Sequence, residues 1–518
     1  MASGTKKGYK LGQDCIKIEV CKINAIPRSF IITWYNNLRL TMYEDAENKS
    51  SEPANSLLMI ATDFPPMVGT NTQRIQSFAR HMKEYGWQAH VLTHAINDLY
   101  LIDSKELLDI PDYVSVYRVE SSDPFRRLRR YRKILPRDLA KNKQGSNSLN
   151  RHAVTENDSA RLVSSLKKLI SGFLLQLPWK FYRKFVYIPD AERLWSISAY
   201  RKALVLINEA KVTVVMTSSP AYSTHLAGLR LKRETGVFWI AEFRDLWVGR
   251  PGRPEGSAWR QHREEALEAD VVRECDHITV ASPAWIENFS SRYGEWVRGK
   301  MTCITNGYDG SQISATNVAK TGDEVMIVNT GAMYGSESPA PFLSALAKIK
   351  SETPEVLSQV RVMLAGYAGE EQPRLDMIVD SAGLTNIVNF PGILPHRDCL
   401  ALQQHADILL LCNGPEHQQT IRGRSFEYMA TGKPILAITP EKGEQAKLLI
   451  RAGSCLVVDY GDPDGIRTAI IRLLSLAKER KTAELKPDWE YIKQYERSKL
   501  TACLVKVIED LQPQVDIK

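Results

Sequence analysis

Residues 57–93 read LLMIATDFPPMVGTNTQRIQSFARHMKEYGWQAHVLT, and this stretch decides the fold class. Leu57, Leu58, Met59, Ile60 and Ala61 form an apolar run with the length of a buried strand. After the loop from Asp63 to Gly69, residues Ile75, Phe78, Met82 and Tyr85 recur on one face of a helix that Gly86 closes. Ala89, His90, Val91, Leu92 and Thr93 supply the next strand. Strand, helix and strand in so short a span make a βαβ unit, and its crossover forces the two strands to run parallel.

The alternation continues outward from this unit. Strands are predicted at 212–217, 238–243 and 278–281, and a second series at 325–328, 360–365, 387–390, 408–411, 435–438 and 455–458, with helical patterns between. The chain therefore reads as α/β, with two Rossmann-like doubly wound domains facing across a cleft. The first spans 56–310 and the second 325–485, joined by a polar linker at 311–324. A leader at 1–55 carries little periodicity and is expected to be poorly ordered, with Met42 as an alternative start, and a helical tail is expected at 486–518. In such sheets ligands bind outside the carboxyl ends of the strands, so the cleft is the expected site.

With 518 residues, 43% hydrophobic and 25% charged, the chain is neither a single small module nor extensively disordered. The 68 basic residues exceed the 60 acidic ones by 8, which favours anionic partners without selecting among them. The eight cysteines show no Cys-x-x-Cys pair and no zinc spacing, so a reducing compartment is expected and no metal. No apolar run reaches the ~18 residues of a spanning helix, and Lys6 and Lys7 precede a polar stretch, not a signal-peptide core. A cytoplasmic protein is expected.

The segment 121–190 interrupts the first domain with a different composition. Arg126, Arg127, Arg129, Arg130, Arg132 and Lys133 form a basic run. Leu162, Leu166, Leu169, Ile170, Phe173 and Leu177 then recur at helical steps opposite Arg161, Lys167 and Lys168, before aromatics and cations mix from Trp179 to Phe185. Two readings stand: an interfacial segment that holds 126–185 against an anionic membrane surface at the inner face, and a core-packing helix with a solvated basic face.

Three places specify chemistry. In the loop before the first helix, Gly69, Thr70 and Arg74 can meet an anion or a polyol, or the loop is a plain turn stiffened by Pro65 and Pro66. Arg244 and Asp245 leave an apolar strand at its ligand-facing end; Asp245 can accept a substrate proton, or the two residues form a structural ion pair. His225 is either a ligand contact or a satisfied polar residue. The third place, TIRGRSFEYMATGKPILA at 420–437, reads as a short helix from Gly423 to Gly432 feeding a strand. Its N-terminus beside two arginines suits a diphosphate, and Glu427, three residues beyond Arg424, can accept both hydroxyls of a ribose. An ordinary ion pair on an exposed helix fits the same spacing.

An ordered set of motifs resembles the retaining glycosyltransferases of family 4, which have the two-domain GT-B fold. The set comprises Asp63-Phe64-Pro65-Pro66, Arg244-Asp245-Leu246-Trp247, Ile304-Thr305-Asn306-Gly307-Tyr308-Asp309, Gly331, Gly392 to His396, and Phe426-Glu427-Tyr428-Met429-Ala430-Thr431-Gly432-Lys433-Pro434. The resemblance spans about 57–480 and is closest to the branch that builds exopolysaccharide, O-antigen or capsule. It implies an acceptor domain followed by a nucleotide-sugar domain, and sugar transfer with retention and without a metal. Glu427 matches the ribose-binding glutamate and Arg424 a basic residue near the diphosphate; Ser425 lies between them. The Gly331 loop falls by the phosphates or sugar, Gly392, Ile393 and Leu394 by the base, and the Gly69 loop by acceptor and sugar. Two departures stand out. Gln419 occupies the position of the family's first glutamate, with Glu416 displaced by three, and the acceptor loop has Gly69-Thr70 in place of paired glycines.

The expected activity is a hexosyltransferase-type transfer from a nucleoside diphosphate sugar to a saccharide or lipid-linked saccharide acceptor in cell-surface polysaccharide synthesis. Asp245 and Arg424 are the expected catalytic residues. The competing reading is a catalytically silent binding subunit of a polysaccharide assembly complex. Nucleic acid is not an expected partner, because the basic residues gather in one segment and no reading module is visible.

Overall fold

The computed structural model describes residues 55–67, 69–96, 109–123, 185–250, 257–314 and 324–511. The predicted leader, except for residue 55, the basic helical segment and most of the polar linker lie outside the described residues.

The first domain is built from β1 (Asn55–Ile60), α1 (Thr70–His81), β2 (Trp87–His94), β3 (Ser115–Val119), α2 (Arg193–Glu209), β4 (Val214–Ser219), α3 (Ser223–Thr235), β5 (Phe238–Phe243), α4 (Ala258–Glu274), β6 (His277–Val280), α5 (Pro283–Tyr293) and β7 (Met301–Cys303). Its seven strands pair in the order β3-β2-β1-β4-β5-β6-β7, all parallel. Both faces are covered, which is why β1 reads as a continuous apolar run and not as an alternation. Leu58 and Ile60 join Trp195, Trp239 and Phe243 on one face, while Leu57 and Met59 join Ile75 and Phe78 on the other. Ile75, Phe78 and Met82 are buried as the helical spacing predicts, but Tyr85 is exposed because the helix tightens into a 3₁₀ turn at Met82. Gly86 closes that turn at φ +75°.

A short helix, α6 (Gly310–Ser314), precedes the second domain: β8 (Val325–Thr330), α7 (Ala340–Glu352), β9 (Val360–Ala365), α8 (Gln372–Ser381), β10 (Val388–Gly392), α9 (His396–His405), β11 (Ile408–Cys412), α10 (Gly423–Thr431), β12 (Ile435–Ile438), α11 (Glu444–Ala452), β13 (Cys455–Val458) and α12 (Pro463–Lys478). Its six parallel strands run β10-β9-β8-β11-β12-β13. Each sheet changes winding direction once, between β1 and β4 and between β8 and β11, so the loops after these strands open a crevice in each domain.

The tail predicted at 486–518 contains α13 (Trp489–Lys493) and α14 (Arg497–Leu511). Ile492 packs in the second domain, whereas Leu500, Leu504, Val505 and Ile508 pack on β1 and α1 of the first. The chain thus crosses the junction twice, at the linker and at the start of α14. Tyr308 donates its N–H to Tyr495 O, and Arg497 donates its own to Tyr308 O, so the two crossings are bonded to each other.

Candidate functional site

The carboxyl ends of the two sheets enclose a cleft of about 490 Å³. Its second-domain wall is organised by α10. Arg422 caps this helix in extended conformation and donates its backbone N–H to Gln445 Oε1 at 2.9 Å; Gly432 ends the helix at φ +67°. The spacing of residues 423–432 had predicted these limits. Arg424 donates from Nη1 to the carbonyls of Thr330 (3.0 Å) and Ala332 (3.2 Å), so the loop after β8 wraps its guanidinium. Gly331 sits between those carbonyls at φ +118°, and a Cβ there would lie 2.4 Å from Arg424 Nη1. Glu337, further along the same loop, bridges Arg422 Nη1 (2.9 Å) and Arg424 Nη2 (3.2 Å).

Glu427 lies one turn deeper in the cleft. Its Oε1 is 3.0 Å from His396 Nε2, and its Oε2 accepts from Gln403 Nε2 at 3.0 Å. Burial pushes its pKa up, but the His396 hydrogen bond and charge, the Gln403 amide and Arg497 outweigh this and hold it below the ordinary glutamate value. Each carboxylate oxygen keeps a further lone pair for a ligand hydroxyl.

The first-domain wall includes Gly69, Asn71, Arg244, Asp245 and Trp285. Arg244 is 6% exposed and is anchored by Ser219 O (2.8 Å) and Pro220 O (3.0 Å), with Asp63 at 4.0 Å. Burial lowers its pKa, while Asp63, Glu242 and Asp245 oppose that. Asp245 is half-buried and pairs with Arg250 at 3.4 Å. Arg244 and Asp245 are therefore not ion-paired with each other; side chains of successive residues leaving a strand diverge.

The structure gathers Gly69, Arg244, Asp245, Gly331, Leu394, Arg424 and Glu427 around the cleft, as a set the sequence had picked out. Other expected contacts are not brought there. His225 is wholly buried: its Nδ1 lies 2.8 Å from Thr217 Oγ1, its ring packs on Phe243, and burial with nearby Arg244 pushes its pKa down to about 3. It is a neutral core histidine, not an acceptor contact. Arg74 is likewise internal, bonded to Glu242 (2.8 Å), Ile304 O (2.7 Å) and Thr305 O, and it ties α1 to the chain leaving the first sheet. Ser425 is buried against Gln445 Oε1 at 3.0 Å. Thr70 begins α1; Gly392 ends β10 at φ +76°, and Ile393 projects outward, 67% exposed.

Several lining residues were given no role by sequence reasoning, although His396 ends one of the quoted motifs. His396 and Gln403 stand two turns apart on α9, one face of a helix, and that spacing could have singled them out. Glu337 and Trp285 carry no local signal. Together the cleft offers a guanidinium pair at a helix N-terminus for an anion, a carboxylate held for hydroxyls and, on the opposite wall, a second carboxylate at Asp245.

Residues 324–476 match the family Glycosyl transferases group 1. No curated protein sequence matches the chain. Among solved structures, a glycosyltransferase from Rickettsia africae is similar at 10% identity and TM-score 0.57, covering 89% of this chain and 100% of that one. Sucrose-phosphate synthase from Thermosynechococcus elongatus is 16% identical with TM-score 0.55 over 88% and 99% of the two chains. HepE of Anabaena in complex with UDP-glucose is 12% identical with TM-score 0.55 over 88% and 100%. These likenesses establish the two-domain fold, GT-B, while the family match is confined to residues 324–476 of the second domain.

Proposed function

We propose that this chain, whose second domain carries the group 1 glycosyltransferase match, moves a sugar from a nucleoside diphosphate donor to a saccharide or lipid-linked saccharide acceptor, with retention, in cell-surface polysaccharide synthesis. The observation that carries the reading is α10: Arg422 and Arg424 at its N-terminus and Glu427 one turn deeper, all facing one cleft. A diphosphate fits the arginines and the helix dipole, and the ribose hydroxyls fit Glu427. The UDP-glucose of the Anabaena structure supports a nucleotide sugar as donor.

In the transfer, the bond from the anomeric carbon to the diphosphate oxygen breaks as an oxocarbenium-like sugar forms, and the acceptor oxygen bonds to that carbon on the face the diphosphate leaves, which gives retention. Arg422 and Arg424 stabilise the departing negative charge, and no metal is invoked. Asp245, across the cleft, accepts the acceptor's hydroxyl proton. The donor site lies in the second domain and the acceptor enters along the first. Attachment to the inner face of an anionic membrane through 126–185 belongs to the same reading. It predicts salt-sensitive sedimentation with anionic liposomes, abolished when those residues are removed.

The test is thermal stability of the purified protein with UDP, GDP, ADP, CMP and nucleotide sugars. A ligand at a hundredfold its Kd adds about 2.7 kcal/mol. One nucleotide should stabilise the wild type saturably and the Glu427→Ala variant hardly at all; equal stabilisation of both opposes the assignment. A second reading, a silent binding subunit, draws on position 419: among the described residues neither Gln419 nor Glu416 lines the cleft, although Thr420 and Ile421 do. Donor binding without turnover or donor hydrolysis distinguishes it.

A further inference from the structure

We propose that Glu337 is a place-holder for the donor diphosphate: its carboxylate occupies Arg422 and Arg424 in the free protein and yields them to the nucleotide, so that Glu337 sets donor affinity. This inference rests on the donor site proposed above. The two carboxylate oxygens are divided between the arginines, Oε1 to Arg422 Nη1 at 2.9 Å and Oε2 to Arg424 Nη2 at 3.2 Å. That spread copies what two oxygens of a bridging phosphate would do. The remaining donors divide: some are held by the protein, while Arg422 Nη2 and Arg424 Nε are buried without a hydrogen-bond partner. Arg424 Nη1 is fixed by the carbonyls of Thr330 and Ala332, and Arg422 Nε donates to Asn413 Oδ1 at 3.1 Å. An anion that engages both arginines through the N–H groups facing Glu337 therefore meets its carboxylate, and the unpartnered Arg422 Nη2 and Arg424 Nε add donors beside them. All three side chains are largely buried, at 13%, 19% and 10% exposure for Glu337, Arg422 and Arg424, so their charges interact with little screening. A carboxylate and a diphosphate at the same two guanidinium groups would repel each other, and one must leave.

The local backbone suits departure of the carboxylate. Glu337 sits on a single 3₁₀ turn, Gly335–Glu337, with Gly331 at φ +118° and Gly335 at φ +58° before it. Gly331 is held by Ala365 O at 2.8 Å, so the freedom to swing lies at Gly335 and beyond it. Downstream the turn is anchored where Ser338 Oγ donates to Glu371 Oε1 at 3.0 Å. Tyr334, 51% exposed at the cleft, lies between the two glycines.

The experiment is calorimetric titration of UDP and of inorganic pyrophosphate into wild type, Glu337→Gln and Glu337→Asp. Glu441→Gln, an exposed acid of the same domain, controls for net charge. A coupling of the usual size predicts roughly five- to tenfold tighter binding in Glu337→Gln, with the control unchanged. Glu337→Asp keeps the charge but shortens the reach, and a smaller gain is expected. Should Glu337→Gln fail to fold, the Asp variant carries the test alone. Hydrogen exchange in residues 335–339 should rise when UDP binds the wild type. Wild-type binding that depends on Glu427, with no gain in the Glu337 variants, overturns the place-holder and leaves the donor site standing. If neither wild type nor variants bind UDP, GDP, ADP, CMP or pyrophosphate, the donor site falls and the place-holder with it.

Discussion

Glu427 shows how one residue is tuned by partners distant in sequence. Its carboxyl is held below the ordinary glutamate value despite burial, because His396, Gln403 and Arg497 favour the charged form. For a group depressed in this way, the stabilising charge is present above the unfolded pKa and is lost only as pH falls through the lower folded value. Protonation of Glu427 should therefore weaken nucleotide binding in the wild type only below the ordinary glutamate range. In His396→Ala binding should be about tenfold weaker at neutral pH, for a lost charge-assisted hydrogen bond, and should begin to fall at a higher pH. Superimposable profiles for the two proteins in titrations across pH would contradict this. Asp245→Asn is the complementary case: kcat should drop by about 10²- to 10⁴-fold with nucleotide affinity unchanged, and a rate within a few fold of wild type would remove Asp245 from the chemistry. At this scale the sequence discloses residues whose local setting defines them. Arg424 and Glu427 share a helix face just inside an N-terminus, and both face the cleft. Arg74 and His225 look equally suited beside their strands. Their fates depend on Glu242, the carbonyls of 304 and 305, and Thr217, partners that no local pattern reveals.

At the scale of elements, periodicity carries far because each buried strand is apolar by itself. The strands at 360–365, 435–438 and 455–458 fall where the pattern puts them. Two were missed, β3 and β7. Ser115–Val119 is a half-buried strand at the sheet edge with a mixed sequence, and Met301–Cys303 has three residues, too few for any period. Of the two glycines at which the loops after β8 and β9 meet, Gly331 was picked out in the sequence and Gly366 was missed. Gly366, at φ +146°, approaches Gly331 so closely that a Cβ would lie 1.6 Å from Gly331 O. Gly366→Ala must therefore push the loop after β9 away from the loop after β8, which holds Arg424. Backbone strain and overpacking together should cost about 3 kcal/mol or more. Chemical denaturation should show that loss, and nucleotide binding should weaken beyond it because Arg424 is displaced; a variant as stable as wild type would mean that the two loops are not rigidly apposed.

For the whole molecule, the second crossing of the junction matters as much as the two sheets. An amphipathic tail is readable in the sequence, but which domain it covers is not, because its apolar residues suit either core. Leu504, 1% exposed, packs with Leu500, Val505 and Ile508 against the β1 and α1 face of the first domain, and Arg497 bonds Gln73 at 2.8 Å. The first domain thus borrows part of its core from the far end of the chain. Leu504→Ala should destabilise that domain by about 2–5 kcal/mol through lost burial and the cavity left behind. The second domain keeps its own two clusters, so its unfolding should shift much less. Two-step denaturation followed by hydrogen exchange would resolve the domains, with the loss of protection concentrated in 57–94 and 214–243. Nucleotide stabilisation should persist in this variant while the second domain remains folded, because Arg422, Arg424 and Glu427 all belong to it. A single shared transition that moves as one unit would instead show that the crossing helix welds the domains into one cooperative body, and that the donor site cannot outlast the loss of the first domain's core.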